Sequence, residues 1–524
     1  RAGLIVKGRE NVLLQSNSFD TSPWAPTGLI ITSGATDPNG GSTAWTIANN
    51  ASSGIIQQTV TLSGVRSFSI YAKEGTHRYL RIGAYGGTNS YANFDLQNGV
   101  VSSGANAAIE SIGGGWYRCT AYAANGTTGG VQIFPSNNST GAATTNGNIL
   151  IWRSQLELGL AASPYIETTT TSAQAGVTTG VANPYLLLEP SRTNAIDYSE
   201  YFGGISTVSA ATETNASISP EGLNNASKLI SNAASPQPNW ARYYNIVQTD
   251  EKQALSIYAK KGSVDNLTIT YYDNITGDLF FNYNLTDGTV DAPTTDPNYE
   301  DADIQDMGNG WYRCIAVTNS QASNYNAQFQ TSAGVDRKTA NTGDYVFIYG
   351  YQWEQNQSYA TSYIPTYSVS ATRAVDNCSK TNASDSLGQT EGTLFVEAET
   401  LENGADCRIT YSDGTINNRV SIEWDILANT IKGFIGNGGN LQTSNYNQTN
   451  RNKIAIVYGY LTDSKMFVNG TLVAVDATTP SISGMNIIEF SNFGNVKTFV
   501  GKVNQVLVYK EKLTDAEAIT LTTI

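Results

Sequence analysis

The chain is 524 residues long, only 14% of its residues are charged, and its formal net charge is −14. This length predicts roughly three or four domains. The acidic balance excludes nucleic acid as a partner, because phosphate neutralisation needs clustered lysine and arginine. No apolar run reaches about 18 residues, so the sequence predicts no membrane insertion.

The first two thirds of the chain contain the same pattern twice. A Ser-Ile-Tyr-Ala-Lys motif occurs at 69–73 and again at 256–260, and a Trp-Tyr-Arg-Cys motif occurs at 116–119 and again at 311–314. The matched elements keep their order, so we predict a duplicated module whose copies differ by loop insertions. The predicted organisation is a first copy at 1–168, a linker at 169–183, a second copy at 184–367, a linker at 368–387 and a different third domain at 388–524.

Short alternating segments joined by turn residues indicate an all-β fold. The nearly all-apolar segment 345–349 is typical of a strand between two packed sheets. In the third domain, Asn469 and Gly470 between apolar segments predict a hairpin. Thr514 followed by Glu517 predicts a capping box that opens a short C-terminal helix. We find no long helical periodicity in either copy, and therefore predict tandem antiparallel β-sandwiches.

Cysteine and histidine are rare in this chain. Cys119 and Cys314 occupy matching positions in the two copies, so each is expected in the core of its own copy as a small apolar residue. Cys378 and Cys407 could pair, although nothing in their spacing demands a disulfide. The single histidine, His77, is interpreted as a surface-loop residue rather than a catalytic or metal-binding one.

The start of the second copy carries the most specific motif. An apolar segment at 186–188 is followed by Arg-Thr-Asn at 192–194 and by Tyr-Ser-Glu-Tyr-Phe at 198–202. Together with the repeated motifs and a Gln-x-Glu element at 352–354, this arrangement resembles a module of bacteriophage virion-surface proteins. The first copy departs in part, because Arg-Glu-Asn at 9–11 replaces Arg-Thr-Asn.

The resemblance implies that both copies are jelly-roll carbohydrate-binding modules. The third domain is similar to a laminin-G/concanavalin A-like domain in its hairpin at 468–473 and its closing segment at 513–517. A protein of this family is expected on the virion surface, outside the cell, as a tail or head fibre. It would form a homotrimer, contact other virion proteins and attach to cell-surface glycans or polysaccharide. Its role would be adhesion, with several weak sites gaining avidity, and it would not be an enzyme.

Aromatic side chains are the first candidates for glycan binding, because saccharide rings stack on them. Trp116 and Trp311 are present in both copies within β patterns and are interpreted as core residues. Better candidates lack a counterpart or lie in loops, and they are Trp24, Trp45, Trp240, Arg242, Tyr243 and Tyr244. For each of the tryptophans, the alternative is that the side chain anchors a loop by packing.

Carboxylates are the second group of candidates. Glu157 and Glu354 share a repeat position and are interpreted as structural hydrogen-bonding residues, since glycoside hydrolysis needs two carboxylates within about 5–9.5 Å of each other. Acidic loops offer oxygen ligands for Ca²⁺, and the resemblance allows structural calcium as the one cofactor. The candidate ligands are Asp273, Asp278, Asp301 and Asp303, and the alternative is a set of solvated acidic loops.

Three other classes of protein stay open. A purely structural capsid or fibre-decorating protein would keep the same folds without a glycan site. A depolymerising tailspike would need a catalytic carboxylate pair, and the sequence shows no β-helix repeat. A secreted bacterial glycan-binding adhesin, or the binding part of a carbohydrate-active enzyme, would share the binding chemistry but not the virion.

Overall fold

The structure is a computed structural model, and its described residues form two compact units. The described residues are 9–50, 53–85, 90–104, 106–123, 126–141, 143, 145–174, 185–204, 206–232, 240–242, 252–272, 278–319, 326–332, 341–436, 438–459, 462–478, 482–491 and 497–524. One unit combines the described parts of Arg1–Thr179 and Thr193–Ala371, and the other combines those of Gly180–Arg192 and Thr372–Ile524. The first copy and the second copy from Thr193 onward therefore lie in the first unit. The predicted domain boundaries stay predictions, although this grouping places 180–192 with the C-terminal residues.

The first copy is built from two six-stranded antiparallel sheets. Its strands are β1 (Glu10–Asn11), β2 (Ala25–Thr27), β3 (Leu29–Ala35), β4 (Ala44–Asn49), β5 (Ile55–Ser63), β6 (Arg66–Glu74), β7 (Tyr79–Tyr85), β8 (Ser90–Asp95), β9 (Val100–Ser103), β10 (Ala107–Gly113), β11 (Trp116–Ala123), β12 (Thr127–Ser136), β13 (Asn148–Leu158) and β14 (Ala173–Gln174). The sheet orders are β3-β4-β13-β6-β11-β10 and β2-β5-β12-β7-β8-β9, and β1 pairs with β14.

The second copy repeats both sheets strand for strand. The strands from this part of the chain are β15 (Leu186–Leu188), β16 (Arg192–Asn194), β17 (Ser206–Val208), β18 (Ala210–Ser217), β19 (Ala226–Ser231), β20 (Trp240–Arg242), β21 (Gln253–Lys260), β22 (Asn266–Tyr272), β23 (Leu279–Asn284), β24 (Thr289–Asp291), β25 (Tyr299–Gly308), β26 (Trp311–Thr318), β27 (Asn326–Ser332), β28 (Tyr345–Gln355) and β29 (Ala371–Arg373). Their orders are β18-β19-β28-β21-β26-β25 and β17-β20-β27-β22-β23-β24.

The C-terminal unit is a third pair of six-stranded sheets with one helix. Its further elements are β30 (Ser379–Lys380), β31 (Gly392–Thr400), β32 (Cys407–Ser412), β33 (Arg419–Trp424), β34 (Ile431–Ile435), β35 (Gly439–Thr443), β36 (Asn452–Tyr458), β37 (Ser464–Val468), β38 (Thr471–Asp476), β39 (Ile487–Glu489), β40 (Gly501–Tyr509) and α1 (Asp515–Thr522). The orders are β15-β40-β31-β36-β37-β38 and β30-β39-β32-β33-β34-β35.

The local turn and cap predictions are confirmed in this C-terminal unit. Asn469 and Gly470 have φ values of 49° and 80° between β37 and β38, as a type I′ hairpin turn requires. Thr514 caps α1 by accepting from the backbone N–H of Glu517, whose carboxylate accepts from the backbone N–H of Thr514 in return. Within the described ranges, no helix is both long and apolar enough to cross a membrane.

Alternating apolar side chains form a separate core in each copy. In the first copy, Ile70 and Ile82 are fully buried, and in the second copy Ile257 and Ile269 occupy the matching places. Each such side chain contributes about 1.5–3 kcal/mol by leaving water. The predicted all-β, antiparallel sandwich fold is therefore confirmed. Cys119 and Cys314 are likewise buried in the two cores, as the repeat predicts.

Two side-chain expectations need correction. The interpretation of His77 as a surface residue is wrong, because its side chain is only 3% exposed and its Nε2 lies 3.1 Å from the carbonyl oxygen of Thr145. Gly147 makes this packing possible, since a Cβ there would overlap the imidazole. The pairing considered for Cys378 and Cys407 is not formed, and all four cysteines are free thiols.

Candidate functional site

The repeated Gln-x-Glu element is a buried structural network. In the first copy, the Glu157 carboxylate accepts from the Ser163 backbone N–H at 2.8 Å, from the Ser163 hydroxyl at 2.6 Å and from the Gln155 amide at 2.6 Å. In the second copy, Glu354 accepts from the Thr361 backbone N–H at 2.9 Å and from the Thr361 hydroxyl. In each copy these bonds hold the segment that follows β13 or β28 against that strand.

The repeated asparagine of the opening motif is also structural. The Asn11 side chain donates to the carbonyl of Ile166 at 2.9 Å and accepts from the N–H of Leu156 at 3.1 Å. Asn194 donates to the carbonyl of Ile364 at 2.9 Å in the second copy. These contacts tie the first strand of each copy to its closing segment. The most recognisable motifs of the sequence therefore explain the fold, and a binding site has to be sought elsewhere.

Two of the candidate tryptophans are packed into the core of the first copy. Trp24 is 4% exposed and its indole N–H donates to the carbonyl of Gln15 at 3.0 Å. Trp45 is 9% exposed and donates to the carbonyl of Asn17 at 2.9 Å. Both rings also contact Phe19, with centroids 5.2 and 6.3 Å away. This is the geometry of a packed loop anchor, and neither ring presents a face to a ligand.

The remaining glycan candidates lie partly outside the described residues. Tyr243 and Tyr244 are outside them, and for Trp240 and Arg242 only the backbone is described. The backbone of Arg242 pairs with Gln328, and Gln328 pairs in turn with Thr270 in the middle of β22. Their role in binding stays a prediction.

The acidic residues considered for calcium do not converge among the described residues. Asp273 lies outside the described ranges. Within those ranges, no group of three or more aspartate, glutamate, histidine or cysteine side chains could hold a metal ion. The interpretation of the stretch with Asp301 and Asp303 as a loop is wrong, because it forms β25. Ala302 and Ile304 alternate with the two aspartates and pack against the core, which fixes the strand. Calcium binding, with Asp278 as a further candidate, stays a prediction.

A different surface of the first copy brings together side chains suited to ligand binding. Along β7, Leu80, Ile82 and Ala84 face the core, so the alternating residues face outward. The outward positions are Tyr79, Arg81, Gly83 and Tyr85. Gly83 is buried, whereas Arg81 and Tyr85 on either side of it are half-buried.

The strands beside β7 add further side chains to this outward surface. Gly83 pairs with Gln132 on β12 and with Tyr91 on β8, while Arg81 pairs with Phe134 and Asn93 on the same two strands. Directly paired residues share a face of the sheet. We call this surface the amide–aromatic face, and it comprises Gln57, Tyr79, Arg81, Gly83, Tyr85, Tyr91, Asn93, Gln132 and Phe134.

Hydrogen bonds and ring contacts order the amide–aromatic face. The Tyr91 hydroxyl donates to the Gln132 side-chain oxygen, and the Gln132 amide donates to Gln57 at 2.9 Å. The Tyr85 ring lies against the backbone at Gly130, where a Cβ would come within 2.7 Å of the ring. Tyr91 and Phe134 meet edge to face with centroids 6.1 Å apart. The rings are thus held in place before any ligand arrives.

The charges at the edge of this face are already compensated. Asp95 accepts from Arg78 and from the backbone N–H groups of Gln97 and Asn98, and these bonds, with the Arg78 hydrogen bond largest, lower the pKa of the Asp95 carboxyl to about 2. Burial raises the pKa of the Tyr91 phenol, although the Arg81 guanidinium opposes this rise. At neutral pH the Tyr91 phenol therefore stays uncharged beside the Arg81 guanidinium.

This arrangement offers flat apolar rings next to amide donors and acceptors, and sequence reasoning missed it. The side chains come from four strands, and residues 57, 81, 91 and 132 are far apart in the chain. The one local signal is the run 79–85, in which aromatic or charged residues alternate with core residues. Such alternation indicates a half-exposed strand, and aromatic residues at its outward positions indicate a surface that could bind a ligand.

The matching positions of the second copy are buried and have different chemistry. Its β22 places Thr268 and Thr270 where β7 has Arg81 and Gly83, because Ile269 is the core residue between them, as Ile82 is in the first copy. The Thr268 hydroxyl donates to the side-chain oxygen of Asn282 at 2.8 Å. The Thr268 hydroxyl and the Asn282 oxygen are therefore paired with each other, and neither side chain carries a charge.

The second copy also has a surface cavity near its Trp-Tyr-Arg-Cys motif. The cavity has a volume of about 380 Å³ and is lined by Lys260, Asn309 and Trp311 together with residues 218–222. The Trp311 indole is buried and donates to the carbonyl of Ile218 at 3.1 Å. The cavity therefore exposes a lysine and amides but no aromatic face.

No protein-family model matches the chain, and none of the curated proteins does. Among solved structures, it is similar to the Ruminococcus gnavus IT-sialidase CBM40 bound to α2,6 sialyllactose, with 18% identity over 26% of this chain and 84% of that one and a TM-score of 0.23. It is also similar to the CBM22-1–CBM22-2 tandem of Paenibacillus barcinonensis Xyn10C, with 10% identity over 68% and 98% of the chains and a TM-score of 0.20. Mouse laminin α1 domains LG4–5 match with 10% identity over 63% and 93% and a TM-score of 0.19.

Sialidases are among the matched structures as well. Trypanosoma rangeli sialidase in complex with 2,3-difluorosialic acid matches with 10% identity over 96% of this chain and 84% of that one, at a TM-score of 0.20. This finding overturns the expectation that the chain is not an enzyme. At such a TM-score the structural likeness does not assign a catalytic activity to the chain either. It also does not assign to the chain the ligands of the other matched structures.

Proposed function

We propose that the chain binds glycans through the amide–aromatic face of its first copy. The observation that supports this most directly is the outward alternation of Tyr79, Arg81 and Tyr85 around Gly83, beside the amide of Gln132. A saccharide has apolar C–H faces that stack on rings and hydroxyl groups that pair with amides. A shallow face of this kind binds weakly, and several copies on one assembly gain affinity through effective concentration.

The biological setting of this binding is a second proposal, which rests on the sequence resemblance. We propose that the chain is a fibre protein on the surface of a bacteriophage virion, outside the cell, and that it attaches to host or environmental polysaccharide. A homotrimer, contacts with other virion proteins and a laminin-G-like third domain belong to the same proposal. Structural calcium belongs to it as well, with Asp278, Asp301 and Asp303 as candidate ligands.

A panel of bacterial surface polysaccharides and defined oligosaccharides tests glycan binding by the purified chain. Saturable binding that one saccharide competes, and that Tyr79→Ser with Tyr85→Ser removes, is the expected result. Tyr345→Ser is the control, because Tyr345 is a half-buried aromatic residue of the second copy with Phe347 5.4 Å away. Loss of binding with EDTA would support the calcium ligands. Absence of binding across a broad panel would replace this proposal with a purely structural role.

Virion placement has its own test. Purified particles from the source of the gene, probed with an antibody against the chain, should be labelled on their surface. Unlabelled particles, together with chain secreted by uninfected cells, would replace the virion proposal with a secreted bacterial adhesin and leave glycan binding untouched.

A further inference from the structure

Arg81 on the amide–aromatic face has no counter-ion among the described residues. Its guanidinium carbon lies 4.4 Å from the Tyr91 ring centroid and 5.5 Å from the Phe134 centroid. Within the described part of the chain, its buried Nε has no hydrogen-bond partner and the guanidinium forms no ion pair. In contrast, the neighbouring Arg78 is bound to Asp95. A stacked arginine is held in place while its N–H groups stay free for a ligand.

An unpartnered acceptor lies directly across from Arg81. Asn93 pairs with Arg81 in the register of β7 and β8, and its side chain is part of a residue only 4% exposed. Its amide nitrogen donates to the Ser103 hydroxyl at 2.8 Å, which fixes its orientation. The Asn93 Oδ1 atom has no partner among the described residues. A buried acceptor left unpaired is unfavourable, so a ligand or water that donates to it is favoured.

In the second copy, the acceptor at the matching position has a hydrogen-bond partner. Thr268 takes the place of Arg81, and its hydroxyl donates to Asn282, which takes the place of Asn93. There the acceptor is satisfied inside the protein, and a threonine stands in place of the arginine. The free donor and the free acceptor of the first copy are thus replaced in the second by a hydrogen-bonded pair.

We infer that the amide–aromatic face of the first copy recognises a sugar that carries a carboxylate. This inference rests on the proposed glycan binding and names its ligand class. The carboxylate pairs with the Arg81 guanidinium, whose planar fork of N–H donors matches a planar carboxylate. A sugar hydroxyl donates toward Asn93, and the sugar ring packs on the tyrosine rings. A uronic acid and a sialic acid both provide this chemistry.

Matched acidic and neutral ligands test the inference with the full chain. The first pair is polygalacturonate and its carboxyl-reduced form, and the second pair is sialyllactose and lactose. The wild-type protein should bind the acidic member of one pair at least about 10-fold more tightly, which corresponds to about 1.4 kcal/mol. The preference should shrink as NaCl is raised, because exposed ion pairs are screened by salt. The ligand pair that shows this preference indicates whether the carboxylate belongs to a uronic acid or to a sialic acid.

Substitutions at Arg81 separate charge from packing. Arg81→Gln should abolish the preference and leave weak binding of the neutral form, and Arg81→Lys should retain part of it. Arg153→Gln is the matched control, since Arg153 also stacks on aromatic rings of the first copy, 3.8 Å from the Trp152 ring centroid, but lies on β13 in the other sheet. Thermal unfolding of each variant should match the wild type and so exclude misfolding.

Three outcomes would overturn the inference. Equal binding of acidic and neutral forms by the wild type would remove carboxylate recognition and leave glycan binding standing. Tighter binding of a sulfated than of a carboxylated polysaccharide of equal charge density would show that the site takes another anion. An unchanged preference in Arg81→Gln would place the recognition elsewhere. Absence of binding to every glycan is the distinct result that removes the proposed function as well.

Discussion

Arg9 of the first copy forms a two-point buried ion pair with Glu221 of the second. Its Nε lies 2.8 Å from Oε1 and its Nη2 lies 2.8 Å from Oε2 of Glu221, and both side chains are less than a tenth exposed. Burial lowers the pKa of the Arg9 guanidinium, but the Glu221 carboxylate and other nearby acidic groups raise it well above its ordinary value. Gly159 allows this contact, because a Cβ there would overlap the guanidinium.

Breaking this ion pair should destabilise the two-copy unit strongly. Arg9→Met leaves the buried Glu221 carboxylate without its guanidinium partner, although Tyr349 and Asn225 still donate to it, so we expect the free energy of unfolding to fall by about 3–5 kcal/mol. Urea unfolding of the wild type and the variant measures this change in the free energy of unfolding. The control is Lys228→Met, which removes an exposed partner of Glu213 at 3.2 Å and should cost at most about 1 kcal/mol. Equal effects of the two substitutions would contradict the account.

The Asp95 carboxyl predicts a dependence of stability on acid pH. Its folded-state pKa of about 2 lies below the ordinary value of 3.8, so it stabilises the folded state above pH 4 and this stability is lost as the pH falls toward 2. Because Arg78 is partly open to solvent, we expect a loss of about 1–2 kcal/mol. Asp95→Asn should be less stable than the wild type at pH 6 and nearly equal to it at pH 2. A constant difference between these pH values would contradict the assignment.

Glu157 and Glu354 should have equivalent structural effects. Replacing either by glutamine places an amide donor where Ser163 or Thr361 already donates, which leaves donors facing each other. We expect Glu157→Gln and Glu354→Gln each to lower the free energy of unfolding by about 1–3 kcal/mol. The exposed Glu110 of β10 supplies the control substitution to glutamine, with little change expected. Unchanged stability in both variants would show that the two carboxylates are not structural.

The thiols predict a graded chemical reactivity. Burial raises the pKa of Cys119 and Cys314 well above the ordinary value and that of Cys407 to about 12, whereas Cys378 is half-buried with a smaller rise. A thiol reagent at pH 8 should modify Cys378 first in the native protein and all four cysteines in denaturant. If two cysteines stayed unmodified even in denaturant and reacted only after a reductant was added, Cys378 and Cys407 would instead form a disulfide.

The fold could be predicted from the sequence because its signals are local. The Asn469-Gly470 turn, the Thr514 cap and the alternation around Ile70 and Ile257 each specify structure within a few residues. The acidic stretch at 299–308 shows where composition misleads, since the half-buried positions between its aspartates make it a strand. Charge alone suggested a loop there.

The candidate site could not be predicted in the same way. Trp24 looks the same in sequence whether it packs inward or faces a ligand, and only the contact with Gln15 and Phe19 shows which. Arg81 and Asn93 are ordinary residues of two strands until the register pairs them. Alternation reveals that a face exists, but the identity of the side chains that meet on it depends on pairing between distant strands.

The measurement that tests the central claim most directly is calorimetric titration of the best-binding saccharide into the wild type and into Gly83→Thr. Gly83 is buried between Tyr91 and Gln132 on the neighbouring strands, so a threonine side chain there should displace the hydrogen bond that these two residues share and disrupt the ordered face. The account predicts binding at least about 10-fold weaker, with cooperative thermal unfolding of the chain retained. Equal affinity in the two proteins would show that the amide–aromatic face is not the binding site.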